Sequence, residues 1–124
     1  MQHAISWFEI PTADFERGIR FYETVLGLSL KREDMGPMRL ALFPREEEAS
    51  VGGAVIHMEG GNPPGPSGAL VYLNGGDDLS VPLARVTAAG GTVLVPKTLI
   101  SDEIGYFAVL RDTEGNHVGL YSMH

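Results

Sequence analysis

Residues 8–27, which read FEIPTADFERGIRFYETVLG, are echoed by residues 72–91, which read YLNGGDDLSVPLARVTAAGG. Adding 64 to Asp14 gives Asp78, and adding 64 to Gly27 gives Gly91. Each half is therefore expected to open its helix with an aspartate N-cap and to close it with glycine. A chain that repeats itself at half its length is expected to contain two copies of one module, with a cleft between them.

The apolar pattern around these caps predicts the same elements in both halves. Apolar residues recur on one face of each predicted helix, and short apolar runs precede and follow it. Each half therefore reads β-α-β-β-β. The predicted fold class is α+β, with two tandem modules forming a curved mixed sheet around a cleft. We expect a single domain over 1–124, with modules at about 1–60 and 67–124 and a Gly/Pro-rich linker at 60–68.

Composition limits the classes of function. A length of 124 residues suits one domain, and a net charge of −7 would repel a phosphate backbone, so we expect no nucleic-acid partner. No apolar run approaches the roughly 20 residues needed to cross a bilayer, and the N-terminus lacks the pattern of a signal peptide. We therefore expect a cytoplasmic protein without a membrane partner. The absence of cysteine excludes thiolate nucleophiles and thiolate metal sites.

Two stretches resemble the vicinal oxygen chelate superfamily, which includes glyoxalase I, bleomycin-resistance proteins, fosfomycin-resistance enzymes and extradiol dioxygenases. The first is the segment 8–27 quoted above. The second is GYFAVLRDTEGNHVGL at 105–120, whose D-x-E-G-N turn at 112–116 is similar to the closing hairpin of that superfamily. The resemblance spans the whole chain and implies the same duplicated β-α-β-β-β fold.

The resemblance also implies where a divalent metal would be held. Catalytic members bind it through His, Glu or Gln side chains on the first and last strand of each module. The corresponding positions here are Trp7, Val71, Gly119 and either Ile56 or His57. Since at most one of these supplies a ligand, we expect no metal cofactor at the family site. A relocated metal site built from Glu9, His57 and His117 is the alternative.

Strand parity predicts which side chains face the cleft, because alternate residues of a strand point to opposite faces. Glu9 is the candidate general base, since a carboxyl group on a dry inward face would have a raised pKa. The predicted ligand pocket consists of Trp7, Glu9, His57, Val71, Leu73, His117, Gly119 and Tyr121.

Three functions are compatible with this pattern. The first is a glyoxalase/bleomycin-resistance-like protein that binds a small, partly apolar molecule in its cleft without a metal. The second is a lyase, isomerase or dioxygenase of the same superfamily that uses the relocated metal or Glu9 as base. The third is a structural or regulatory domain whose cleft is filled by its own side chains. The resemblance further implies a homodimer.

Overall fold

The computed structural model describes residues 3–47 and 50–124. The first module contains β1 (Trp7–Pro11), α1 (Phe15–Leu26), β2 (Lys31–Met35), β3 (Met38–Leu42) and β4 (Gly52–His57). The second contains β5 (Tyr72–Asn74), α2 (Ser80–Leu83), β6 (Thr92–Ser101), β7 (Gly105–Arg111) and β8 (His117–Ser122). The predicted duplicated α+β architecture is confirmed.

Hydrogen bonding divides the predicted curved sheet into two four-stranded mixed sheets. Sheet 1 has the strand order β1-β4-β3-β2, and sheet 2 has the equivalent order β5-β8-β7-β6. In each sheet the first and last strands of the module pair in parallel, whereas the hairpin pairs are antiparallel. The first and last strands of each module therefore lie side by side.

Helix α1 begins and ends as its sequence predicts. The side chain of Asp14 accepts a hydrogen bond from the Arg17 backbone N–H, and Gly27 ends the helix with a φ of 65°. That left-handed conformation favours glycine because it lacks a Cβ. The apolar face of α1 is buried against the sheets, with Ile19, Tyr22 and Val25 each 1% exposed.

Helix α2 is much shorter than the pattern predicted. Only Ser80–Leu83 is α-helical, and the backbone then continues in turns that bond three residues back, such as Arg85 to Pro82. Asp78 is not the N-cap, although its carboxylate accepts the Ser80 N–H at 2.8 Å. The predicted apolar face is nevertheless buried, because Leu79 and Val86 are both inaccessible to solvent.

The apolar run Leu28–Lys31 after α1 predicts the second strand of the first module, but β2 lies later in the chain, at Lys31–Met35. It has the sequence KREDM, and all five residues are exposed. A strand without apolar alternation gives no period-2 signal, so sequence reasoning placed it too early. This charged strand forms one outer edge of sheet 1, where charges discourage pairing with other chains.

The main core lies on the helix side of both sheets and joins the two modules. It combines apolar residues of β1 and α1 with residues of α2, β7 and β8. A smaller cluster of Leu40, Ala54 and Ile56 lies on the opposite, concave side of sheet 1. Each sheet therefore has one face packed on the core and one face directed towards the cleft. Among the described residues, no helix combines the length and apolarity needed to cross a membrane.

Candidate functional site

A cavity of about 620 Å³ lies between the two sheets. Sheet 1 contributes Glu9, Pro11 and Ile56, while sheet 2 contributes Val109 and His117. The loop at 62–71 closes one side, and the Gly65 N–H donates a hydrogen bond of 3.0 Å to Asn116 Oδ1. The cavity thus has walls from both modules and from the segment that joins them.

The structure brings three of the sequence-predicted pocket residues to this cavity, namely Glu9, Val71 and His117. Pro11, Ile56 and Val109 also line it and were not predicted as pocket residues. Glu9 and His117 are its titratable side chains among the described residues, and the rest of the wall combines apolar side chains with polar groups in similar measure. A cavity of this kind offers a small molecule both apolar contacts and hydrogen-bonding partners.

Trp7 lies beside Glu9 on the concave face of sheet 1. Its Nε1–H donates a hydrogen bond of 3.3 Å to Glu9 Oε2, and its side chain remains 41% exposed. Phe8 and Ile10 belong to the core on the other face. The predicted orientation of β1 is therefore the observed one.

The predicted orientation of β5 is wrong. Leu73 is 7% exposed within the main core and Val71 packs against that core, whereas Tyr72 is 50% exposed on the cleft face. Tyr72, and not Val71, is the counterpart of Trp7, because both begin the first strand of their module. The interval to the helical aspartate is seven residues from Trp7 to Asp14 but six from Tyr72 to Asp78. A shift of one residue moves every side chain of a strand to the other face.

Each module places an aromatic ring over a glycine of its last strand. Trp7 is paired with Gly52 and Tyr72 with Gly119 in the two parallel ladders. A Cβ at Gly52 would lie 3.0 Å from Trp7 Cζ3, and a Cβ at Gly119 would overlap the Tyr72 ring. The two aromatic–glycine pairs need glycine at these positions because the ring occupies the space of a side chain.

His57 does not face the cleft. Its Nδ1 lies 2.9 Å from the carbonyl oxygen of Thr12, which accepts a hydrogen bond from it, and it shares a strand face with the core residue Val55. Ile56, its neighbour in β4, is the residue that lines the cavity. The prediction that His57 lines the pocket is therefore wrong, because β4 directs this side chain towards α1.

Tyr121 lies on the concave face of sheet 2, away from the central cavity. Its hydroxyl donates to the carbonyl oxygen of Ile104, and it lines a separate hollow of about 290 Å³ with Tyr72, Ile100 and Phe107. The predicted pocket residues are consequently divided between neighbouring regions of one concave surface and the core.

The positions at which the superfamily holds a metal do not fit one here. The predicted positions Val71 and Ile56 or His57 are wrong, because the register places Tyr72 opposite Gly119 and Gly52 opposite Trp7. Of these four residues, Tyr72 alone has a side-chain oxygen suited to a metal. The relocated set of Glu9, His57 and His117 is divided between two faces of the sheets. Across residues 3–47 and 50–124, no group of three or more His, Asp or Glu side chains is placed to hold a metal ion.

The D-x-E-G-N turn joins the two modules. We call Asp112, Glu114 and Asn116 the clamp. Asp112 accepts hydrogen bonds from the Tyr22 hydroxyl at 2.6 Å and from the Asn116 side chain at 2.9 Å. Asn116 Nδ2 also donates to the Pro11 carbonyl oxygen at 2.8 Å. Burial, followed by the neighbouring Asp112 charge, raises the pKa of the Tyr22 hydroxyl well above its usual range.

Glu114 holds the start of α1. Its carboxylate, which is inaccessible to solvent, accepts the Ala13 and Asp14 backbone N–H groups at 2.9 and 2.7 Å and forms two bonds with Arg17. Burial raises the pKa of Glu114, but the bonds from Arg17 and the backbone outweigh it and hold that pKa below its usual value. The clamp is therefore a structural contact between modules, and sequence reasoning used it as a family signature without finding this role.

A second, more apolar cavity of about 580 Å³ is lined by residues of both β1 and β5. Its walls include Phe8, Leu26, Leu28 and Phe43 on the helix side, and the predicted pocket residues Val71 and Leu73 line it as well. The spacing of apolar residues in the sequence predicts that these wall residues are buried. It does not indicate that they surround a cavity.

Comparison with known proteins gives consistent matches. The family described as bleomycin resistance protein-like N-terminal matches residues 5–40. A glyoxylase-like domain-containing protein of Didymella fabae is 30% identical over 115 residues, covering 90% of this chain and 88% of that protein. The putative glyoxylase CFP32 of Mycobacterium tuberculosis is 32% identical over 109 residues, or 88% of this chain, which spans only 40% of its length.

The fold is shared with solved structures. A glyoxylase/bleomycin resistance protein/dioxygenase domain from Frankia sp. EAN1pec has a TM-score of 0.71 and 17% sequence identity, covering 97% of this chain and 91% of its own. At that identity the likeness concerns the fold. The relative from Didymella fabae, matched along almost its entire length, is what establishes the family. This chain belongs to the glyoxalase/bleomycin-resistance family of the vicinal oxygen chelate superfamily.

Proposed function

We propose that this protein binds a small, partly apolar molecule in the cavity between its two sheets and does so without a metal. The cavity of about 620 Å³, lined by both modules, is the observation that carries this proposal. Its volume lies within the range of roughly 300–1,000 Å³ that small-molecule sites occupy. Relatives described as glyoxylase-like or bleomycin-resistance-like support a small-molecule ligand.

A thermal-shift screen against a broad panel of metabolites and antibiotics tests the proposal. A ligand that binds the folded state raises the melting temperature in proportion to the logarithm of its concentration. The Val109→Trp variant should abolish the shift, because the larger side chain extends into the cavity from sheet 2. Met35→Trp, on the exposed edge strand β2, is the matched control and should keep it. A panel without a single stabilising compound would contradict the proposal.

A second candidate function is catalysis by a lyase, isomerase or dioxygenase of this superfamily. Glu9 and His117 line the same cavity, so a carboxylate and an imidazole would both be available to move a proton of a bound molecule. Elemental analysis separates the versions of this function. Stoichiometric metal that disappears in Glu9→Gln or His117→Ala would replace the metal-free proposal, whereas metal-free protein that loses turnover in Glu9→Gln would identify Glu9 as the base.

The protein is further proposed to act as a homodimer through the concave face of sheet 2. Tyr72, Ile100 and Ile104 there are exposed and surround the 290 Å³ hollow. An apolar patch of this kind favours association. Light scattering after size-exclusion chromatography should give twice the 13.4 kDa chain mass, and Ile104→Glu should give a monomer, whereas Met35→Glu on β2 should not. A monomeric wild-type protein contradicts this assembly.

A further inference from the structure

An exposed indole on sheet 1 lies between opposite charges. Trp7 Nε1 donates to the Glu9 carboxylate at 3.3 Å. At the other end of the indole, Trp7 Cζ3 lies 3.0 Å from the point that a Gly52 Cβ would occupy, and Arg45 Nη1 lies 3.3 Å from the same point. The ring therefore has a carboxylate at its pyrrole edge and a guanidinium near its benzene edge.

Gly52 makes this arrangement possible. Both Trp7 and the Arg45 side chain occupy the space above its Cα, where any larger residue would push one of them away. Arg45 is also oriented by the carbonyl oxygen of Ser50, which accepts a hydrogen bond of 3.1 Å from Nη1. Within residues 3–47 and 50–124, that bond engages a single nitrogen of the guanidinium, so further N–H groups of Arg45 are suited to bind an anionic group.

We propose that Trp7, Glu9 and Arg45 form a subsite for a zwitterionic ligand with a planar body. The ligand's ammonium group would bind Glu9 beside the indole face, its ring would stack on Trp7, and its carboxylate would bind Arg45. This proposal rests on the proposed function, because Glu9 also lines the cavity between the sheets and so connects it with the subsite.

The charges of the molecule favour a zwitterion over a singly charged ligand. The chain carries a net charge of −7, so its overall field repels a free anion before that anion can reach Arg45. A simple cation is attracted, but it offers Arg45 no anionic group and places a second positive charge near the guanidinium. A zwitterion has no net charge for the field to repel, and it supplies an ammonium group for Glu9 and a carboxylate for Arg45.

Trp7 is the single tryptophan of the chain, so its fluorescence reports on this subsite alone. The purified full chain is titrated at pH 7 with 4-(aminomethyl)benzoate, which carries an ammonium and a carboxylate at opposite ends of a planar ring. Benzylammonium and benzoate each retain one of the two charges and serve as matched probes. The zwitterion should quench Trp7 with an affinity about fivefold higher than either singly charged probe, as expected for one additional exposed ion pair.

Two variants test which side chain of the protein binds each charged group of the probe. Arg45→Gln should remove the preference for the zwitterion over benzylammonium, and Glu9→Gln should remove the preference over benzoate. Arg32→Gln is the control, because Arg32 is an exposed arginine that pairs with Glu16 on a different surface. It should leave all three affinities unchanged.

The outcomes separate this proposal from the proposed function. Equal affinities for the three probes, or a preference that survives Arg45→Gln, would overturn the zwitterion subsite. Suppose that the thermal-shift screen in the same case identifies compounds whose binding is lost in Val109→Trp. The cavity then still binds a small molecule, and the subsite alone is wrong. If no compound of either experiment binds, both proposals fail.

Discussion

The helix side and the concave side of this molecule use their carboxylates in opposite ways. On the helix side, Asp112 and Glu114 are buried or inaccessible, and each accepts several hydrogen bonds from the backbone and from α1. On the concave side, Glu9 is exposed and accepts a hydrogen bond from the Trp7 indole at 3.3 Å. The two carboxylates of the family's signature turn therefore stabilise the fold, whereas the carboxylate available to a ligand is that of Glu9 on the concave side.

Replacing Asp112 tests the helix side of this comparison with the largest expected effect. Asp112→Ala removes the acceptor of the Tyr22 hydroxyl and of the Asn116 side chain, and of two backbone N–H groups as well. Buried donors without partners each cost about 1–3 kcal/mol, so the free energy of unfolding should fall by about 4 kcal/mol. Urea denaturation measures it. Should Asp112→Ala be too unstable to purify, Tyr22→Phe should still lose about 1 kcal/mol; unchanged stability in Tyr22→Phe would refute the clamp.

The aromatic–glycine pair of sheet 2 gives the next largest effect. Gly119→Ala should destabilise the protein by about 2 kcal/mol, because the new methyl group overlaps the Tyr72 ring and the ring must move. Combining it with Tyr72→Ala should recover part of that loss. Gly65→Ala is the control, since a Cβ there meets nothing within 4 Å. If Gly119→Ala were as stable as the control, Tyr72 would not be packed on Gly119.

Acid should weaken the clamp through Glu114. Its folded pKa lies below its ordinary value of 4.5, so its contribution is complete above that pH and is lost as the pH falls through the folded pKa. Glu114→Gln should lower stability at pH 7 by about 1–2 kcal/mol and should reduce the loss of stability below pH 4.5. Chemical denaturation at several pH values measures both effects. An identical acid dependence in the variant would exclude Glu114 as the group responsible.

The smallest effect is expected on the concave side. Trp7→Phe should change the free energy of unfolding by less than about 0.5 kcal/mol, because the side chain is 41% exposed and far from the clamp. Its measurable consequence should be weaker binding of any ligand that stacks on the indole. A large loss of stability in Trp7→Phe would mean that the indole is needed for packing within the protein and is not kept available to bind a ligand.

Local chemistry made part of the fold predictable. The Asp14 cap and the Gly27 end of α1 follow from interactions within one turn of helix, and both are observed. The orientation of β1 followed from strict alternation along a regular strand. In contrast, Val71 and Leu73 were predicted to face the cleft because the repeat changes its spacing by one residue before Asp78, and no signal within β5 marks that change.

Long-range contacts were beyond sequence reasoning. Glu114 bonds to Ala13 across 101 positions of the chain, and the side chains of Trp7 and Arg45 come near each other only because both occupy the space above Gly52. Neither neighbour can be inferred from spacing, since loops and strand register set these distances. The same limit explains His57, which the alternation of β4 directs to α1 once Ile56 is known to face the cavity.

The most direct test of the central claim is NMR mapping of a ligand found in the thermal-shift screen. A ligand held between the sheets should change the amide shifts around Ile56, Val109 and His117, which line that cavity, while those around Met35 remain constant. Changes centred instead on Leu28, Phe43 and Val51, in the apolar cavity near α1, would contradict it and place the binding site on the helix side.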